Sequence, residues 1–200
     1  MKKFAAAMSL AVLAGAASAG SLITIQTGNG YESGLASAAD YQAAVTAIVG
    51  PVSYISDYSN LSLNLDGKGL ESTITFQVTT AGTWDFRAGV DFGGGGALYL
   101  DGVALDFKGT NMWWNGSYGD ASQFLAGSSL LSVGDHQLTL YGFEDCCSGN
   151  SQVQYSTDGT TFTSFGTNDN LPAVPEAQNA AMLLAGLGLV ATIARRRKQA

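Results

Sequence analysis

Charge is the first thing this chain lacks. Only 12% of its 200 residues are Asp, Glu, Lys or Arg, half of the ~25% usual in globular chains. Six of the nine basic residues, Lys2, Lys3, Arg195, Arg196, Arg197 and Lys198, sit at the two extremes. From Gly20 to Val174 just three cations, Lys68, Arg87 and Lys108, stand against fifteen acids, a net of −12. Nucleic acids are held through clustered Lys and Arg, so this composition excludes them as partners. Histidine is nearly absent: His136 is the only one, it opens a strand after Gly134-Asp135, and no Gly-x-Ser-x-Gly elbow exists to pair with it. No spacing among the acids singles out a pair for glycoside cleavage. Two cysteines, Cys146 and Cys147, with a remote His136 fall short of the four ligands zinc usually takes. Glycine is abundant at 26, without a repeating period, and 46% of the residues are hydrophobic. Such a chain is neither collagen nor disordered.

The apolar runs lie at the ends. Met1-Lys2-Lys3 precedes an apolar stretch from Phe4 to Leu13 and small residues closing on Ala17-Ser18-Ala19. This is the three-part layout of a secretory signal, with Ala-x-Ala ahead of the cut, so residues 1–19 are expected to be a signal helix removed after Ala19. At the other end fifteen residues, Ala180 to Ala194, cover roughly 22 Å as a helix against a hydrocarbon core of ~30 Å. A short transmembrane helix is expected there. Arg195, Arg196, Arg197 and Lys198 fix its C-terminal edge in the cytoplasm, and the body then faces outward. Ala185, Gly186, Gly188 and Ala191 leave the helix small-sided, suited to another membrane helix.

Val174-Pro175-Glu176-Ala177, the short helix and the basic block together resemble the PEP-CTERM sorting signal of Gram-negative envelope and matrix proteins, with Ala177 where a second proline usually stands. The resemblance implies processing by an exosortase-type enzyme near Pro175-Glu176. It also implies a transient stay in the inner membrane and delivery to the cell surface or extracellular matrix. The expected division is a domain at 20–167, a linker at 168–174 and the sorting signal at 175–198.

The body reads as short strands. Thr73 to Thr79 alternates so that Ile74, Phe76 and Val78 share one face, and Trp84, Phe86 and Ala88 repeat the pattern after Ala81-Gly82. Gly96–Leu100 and Val103–Phe107 flank Asp101-Gly102, a dipeptide suited to a two-residue hairpin. Asp158-Gly159 signals another hairpin between Val153–Ser156 and Thr161–Thr163, and Asp66-Gly67 a further turn. Gln137 to Phe143 is one more strand, with Leu138, Leu140 and Gly142 toward the core. Strands spaced this closely predict an all-β, antiparallel sandwich of jelly-roll or related type. One helix is predicted: Ser37-Ala38-Ala39-Asp40 has the form of a capping box, and Tyr41, Val45, Ile48 and Val49 follow at helical spacing until Gly50-Pro51. It is expected to cover an edge or end of the sandwich.

Thr73 to Phe165 resembles the protective-antigen type of β-sandwich found in bacterial toxins, glycosidases and fungal adhesins. The likeness rests on Gly82-Thr83-Trp84-Asp85-Phe86, on Asp91 and the glycine loop leading to Leu98-Tyr99-Leu100-Asp101-Gly102, on Leu131 to Leu138, and on the Asp158-Gly159 hairpin. Sugar-binding members hold calcium, and through it sugar hydroxyls, with two adjacent aspartates. Asp91 matches the first, and Phe92 stands at the second. Glu144-Asp145-Cys146-Cys147-Ser148-Gly149, with the tail, resembles the CCXG group of PEP-CTERM proteins, a pattern that carries no known activity.

Asp91, Asp101, Glu144 and Asp145 are candidate oxygen ligands for calcium, which takes about six to eight; the alternative is that these acids are merely solvated. In an oxidising compartment Cys146 and Cys147 are expected to bond to each other, with links to other chains, a reversible switch or metal ligation as alternatives. Phe92 to Gly96 lacks the Gly-Lys-Ser/Thr ending of a phosphate loop and reads as a flexible connection. Asn111 to Tyr118 combines aromatic and amide side chains that suit a sugar ring. Trp113 and Trp114 alternate in a strand, so one is exposed, or both serve core and edge packing.

The expected protein is therefore an exported, non-enzymatic β-sandwich that binds polysaccharide through Asp91, Trp113, Trp114, Asn115, Asp145 and their loops. A structural matrix protein without a defined ligand is the alternative, and an envelope glycan hydrolase the third.

Overall fold

The structure is a computed structural model that describes residues 20–109 and 111–174. The expected signal helix at 1–19 and the sorting signal, with Pro175, Glu176, the transmembrane helix 180–194 and Arg195, Arg196 and Arg197, lie outside the described residues. Among the described residues no helix is long and apolar enough to cross a membrane.

In chain order the first elements are β1 (Leu22–Asn29), α1 (Ala38–Thr46), β2 (Ser53–Ile55), β3 (Leu61–Ser62), β4 (Lys68–Val78), β5 (Gly82–Gly89) and β6 (Asp91–Phe92). They are followed by β7 (Gly95–Leu100), β8 (Val103–Lys108), β9 (Met112–Trp113), β10 (Leu125–Leu131), β11 (Gly134–Glu144), β12 (Asn150–Ser156) and β13 (Thr163–Ser164). One sheet runs β2-β1-β4-β11-β7-β8 and the other β10-β5-β12-β13, with β3 also on β12. A small ladder joins β6 to β9. All the pairings are antiparallel, as the short, turn-punctuated strands predict.

Period-two alternation sends one face of each sheet inward. Ile74, Phe76 and Val78 from β4 meet Trp84, Phe86 and Ala88 from β5 in one buried cluster. Phe76 sits at its centre, with ring centroids 5.4 Å from Trp84, 5.8 Å from Phe86 and 5.3 Å from Phe165. Truncating such a ring to alanine typically costs ~3–5 kcal/mol. The Asp101-Gly102 hairpin forms with φ of 49° and 78°, the left-handed pair that a two-residue turn requires. β1 and β10 were not among the expected strands, although Ile23 and Ile25 alternate in the first.

Ser37 caps α1, its hydroxyl accepting from Asp40 N at 3.2 Å and donating to Asp40 Oδ2 at 2.8 Å. Sequence predicts that the helix covers an edge or end of the sandwich; it lies instead on the outer face of the six-stranded sheet. Tyr41 and Val45 pack there against Ala97, Tyr99, Tyr141 and Phe143. Leu138, Leu140 and Gly142 point inward as expected, while Tyr141 and Phe143 need α1 because they would otherwise meet water.

The glycine run is also a correction. It is packed rather than flexible: Tyr41 Oη donates to Gly94 O at 2.8 Å, and Gly94 N donates to Phe143 O at 2.8 Å. Residues 168–171, expected as linker, belong to the body. Asp169 is buried, accepting from Ser21 Oγ at 2.6 Å and Gly166 N at 3.1 Å, while its carbonyl accepts from Tyr155 Oη at 2.7 Å.

Candidate functional site

The β6–β9 ladder pairs Asp91 with Trp113 and Phe92 with Met112. Phe92 and Met112 are wholly buried, which leaves Asp91 and Trp113 on the other face. Trp113 is 66% exposed, whereas its neighbour Trp114 is 6% exposed. Of the two readings open from sequence, one tryptophan is thus presented and the other is core. Trp114 lies across Gly89, where any Cβ would fall inside its indole, and packs on Tyr118 with centroids 5.4 Å apart.

The segment after Trp114 is pinned to the outer face of β5 and β12. Arg87 from β5 lies between two rings, its guanidinium carbon 3.9 Å from the Tyr118 centroid and 3.8 Å from that of Phe162. Its Nε donates to Gln154 Oε1 at 2.7 Å. Tyr118 Oη donates to Gln152 O at 3.1 Å. Asp120 caps a 3-10 turn at Ala121–Gln123 by accepting from Ser122 N at 2.9 Å and Ser122 Oγ at 2.7 Å. Those bonds, from hydroxyl and backbone, hold its carboxyl below the usual range. Gln123 Oε1 accepts from Trp113 N at 2.6 Å. The result is a cavity of about 550 Å³ lined by Asn111, Trp113, Asn115, Ser117, Asp120 and Gln123. Asn115 was expected here. Asp120 and Gln123 were missed, since only the turn brings them to the indole.

The neighbouring acid loop is closed on itself. Asp91 is 7% exposed and its Oδ2 accepts from Gly149 N at 2.5 Å. Glu144 is 2% exposed, with Oε2 accepting from Gly93 N at 2.9 Å and Oε1 from Cys146 N at 3.1 Å. Burial, helped by the nearby Asp91 charge, pushes Glu144 up to about 7, and burial raises Asp91 as well. Asp145 is exposed, and its carbonyl accepts from Gly67 N at 2.9 Å. Ser148 donates from both N and Oγ to Asp66, at 2.9 and 2.6 Å. Cys146 and Cys147 are exposed free thiols in this structure, and Cys147 has a φ of 68°. The adjacent Cys147 thiol raises Cys146 to about 11.

The expected calcium ligands do not assemble. Asp101 stands in the β7–β8 hairpin, where it accepts from Gln137 N at 2.8 Å and meets His136 Nδ1 at 2.7 Å. Glu144 lies seven strand positions further along β11, roughly 23 Å at ~3.3 Å per residue. Among the described residues no three His, Cys, Asp or Glu side chains are grouped to hold a metal. Backbone N–H groups already occupy oxygens of Asp91 and Glu144, and Phe92, where a second aspartate would stand, is core. The residues present do not fit the calcium of the sugar-binding sandwiches.

All three cations of the described body are engaged: Arg87 between its rings, Lys108 with Asp106 at 3.1 Å, and Lys68 Nζ on Asn64 O at 2.9 Å. The Trp113 cavity contains one acid, Asp120, and no base. It therefore offers an aromatic face, amides and hydroxyls to a neutral polar ligand and repels anions.

No family model and no curated protein matches the chain. Solved structures are similar in fold. A PA14 sugar-binding domain from an RTX adhesin has a TM-score of 0.54 at 14% identity, with 78% of this chain and 99% of that one covered. The PA14 domain of the MpAFP antifreeze protein has a TM-score of 0.53 at 13% identity, with 84% and 96% covered. An anti-sigma factor domain-containing protein gives 0.52 at 12%, with 80% of this chain and 50% of that one covered. The protective-antigen type of fold expected from Thr73 to Phe165 is thus found.

Proposed function

We propose that the protein is a non-catalytic polysaccharide-binding module of the cell envelope or extracellular matrix, and that its glycan seat is the Trp113 cavity. One observation carries this: Trp113 is 66% exposed, its backbone N–H donates to Gln123 Oε1, and it is rimmed by Asn111, Asn115, Ser117 and Asp120. An aromatic face packs against the C–H groups of a pyranose while the surrounding groups meet its hydroxyls. Among the described residues no cation lines the cavity, which favours neutral glycans over uronates. The fold shared with a sugar-binding adhesin domain adds support. Catalysis has no comparable support, since Asp91 and Glu144 are buried and spent on backbone N–H groups. A glycan array tests the assignment: the protein should retain neutral glycans and Trp113→Ala should lose them, whereas equal retention by both proteins overturns it.

We infer export and tail processing from the two ends of the sequence. Oxidation of Cys146 and Cys147 to a ring after export is part of the same reading, supported by their adjacency and exposure. The intact mass of the protein recovered outside the cell tests all three. It should correspond to a chain starting at Gly20, ending near Pro175 and lacking two thiol hydrogens; an unclipped chain contradicts export and sorting, and a full thiol count contradicts the ring.

A further inference from the structure

Of the groups that rim the Trp113 cavity, Asp120 alone carries a charge. Only one oxygen of its exposed carboxylate is engaged. Oδ1 accepts both bonds from Ser122, at 2.9 and 2.7 Å; among the described residues Oδ2 accepts none, and no cation pairs with it. Those Ser122 bonds hold the carboxyl below the usual range, so it stays ionised in mildly acidic water. Arg87, beneath the same loop, is held between Tyr118 and Phe162 and donates to Gln154. Asp91, opposite Trp113 in its ladder, is buried and accepts from Gly149 N.

The open oxygen is also tied to the tryptophan. Gln123 N donates to Asp120 O at 3.1 Å, Gln123 Nε2 donates to Ser122 Oγ at 3.0 Å, and Gln123 Oε1 accepts from Trp113 N at 2.6 Å. One glutamine thus joins the acid's turn to the strand that presents the indole. An exposed aromatic face and an unpaired carboxylate on one rim suit an ammonium, which is drawn to the negative face of the ring and donates charge-assisted hydrogen bonds to the oxygen. The surroundings act in the same direction: from Gly20 to Val174 the chain has a net charge of −12, and a field of that sign draws in cations. A sugar hydroxyl reaches the same oxygen without that gain.

We propose that the Trp113 seat selects glycans with free amino groups, hexosamine residues whose 2-amino nitrogen is not acetylated, and that Asp120 Oδ2 receives the ammonium. The inference rests on the Trp113 assignment and deepens it: neutral glycans fill the seat, and a free amine strengthens the hold. The degree of acetylation of a matrix polymer then sets how firmly it retains this protein.

Titration calorimetry of the full chain at about pH 6, where such amines are protonated, tests this with hexaoses of N-acetylglucosamine and of N-acetylgalactosamine, each beside its de-N-acetylated counterpart. A free-amine form should bind about fivefold tighter than its acetylated form, the scale of an exposed ion pair with a cation–π contact. Asp120→Asn keeps an acceptor for Ser122 and a good helix cap but removes the charge, so it should bind both forms with the affinity of the acetylated one. Trp113→Ala should lose both. Asp120 and Trp113 are exposed, and unchanged circular dichroism verifies that both variants fold. Equal affinities for the two forms in the native protein overturn the ammonium and leave the glycan seat standing. A preference that survives Asp120→Asn comes from the overall charge of the domain and overturns the role of Asp120. No binding of any hexaose overturns the seat as well.

Discussion

Gly142 on β11 stands directly opposite Gly96 on β7, and the Phe92 ring fills the slot that the pair leaves. A Cβ on Gly142 would fall inside that ring. Phe92 belongs to β6, so the slot fixes the strand whose other residue, Asp91, pairs with Trp113. Gly142→Ala should destabilise the protein by ~1–3 kcal/mol, the usual range for overpacking, seen as a lower urea midpoint with an unchanged slope. Combining it with Phe92→Leu should recover part of the loss. Additive losses would mean the two sites are independent.

Arg87 should matter for the loop more than for the core. Arg87→Met keeps the stem but removes the cation from between Tyr118 and Phe162. A loss of ~1–2 kcal/mol is expected for a partly desolvated cation between two rings. Faster amide exchange should appear at residues 115–123 while β4 and β11 stay protected. Uniform acceleration through both sheets would show that Arg87 serves the whole fold.

Much of this architecture is legible in residue order, for local reasons. Asp101-Gly102 marks its hairpin because few other dipeptides tolerate positive φ at both positions, and Ile74, Phe76 and Val78 declare their face by alternation. Other features depend on neighbours distant in sequence. Tyr141 and Phe143 hint at a second buried face on β11, yet nothing local says that α1 covers it. The glycines from Gly93 to Gly96 look flexible until Tyr41 and Phe92 are seen packed on them. Asp91 and Asp101 are ten positions apart but stand in the β6–β9 ladder and in the β7–β8 hairpin respectively, which dissolves the expected calcium set. Trp113 and Asn115 could be proposed from their chemistry, whereas Asp120 and Gln123 join them only through a turn.

Stability should fall as pH rises through the weakly acidic range. Glu144 is raised from 4.5 to about 7 in the folded chain, so between those values the native state holds a proton that the unfolded state releases. Burial opposes charge on His136, but its bonds to Asp101 and to Ser132 O, at 2.7 and 2.9 Å, outweigh that and raise it above 6.5. Its stabilising share is present below 6.5 and lost as pH climbs through the higher folded value. Both groups slope the same way. Thermal melts from pH 4 to 9 should show it, with Glu144→Gln flattening the lower part and His136→Gln the upper. A stability that rises from pH 4.5 to 7 would contradict these assignments.

Chelation should change nothing. Oxygens of Asp91 and Glu144 are already bonded to Gly149, Gly93 and Cys146 N–H groups, so excess EGTA should leave both the melting temperature and glycan retention where they were. A drop in either, restored by calcium, would show an ion site that these side chains do not form by themselves.

The most direct measurement is nuclear magnetic resonance of the three indole N–H signals during titration with a neutral hexaose that the protein retains. The signal missing from Trp113→Ala should shift saturably, with the midpoint of the calorimetric curve. If the glycan binds while that signal stays still, recognition lies elsewhere and Trp113 is not its seat.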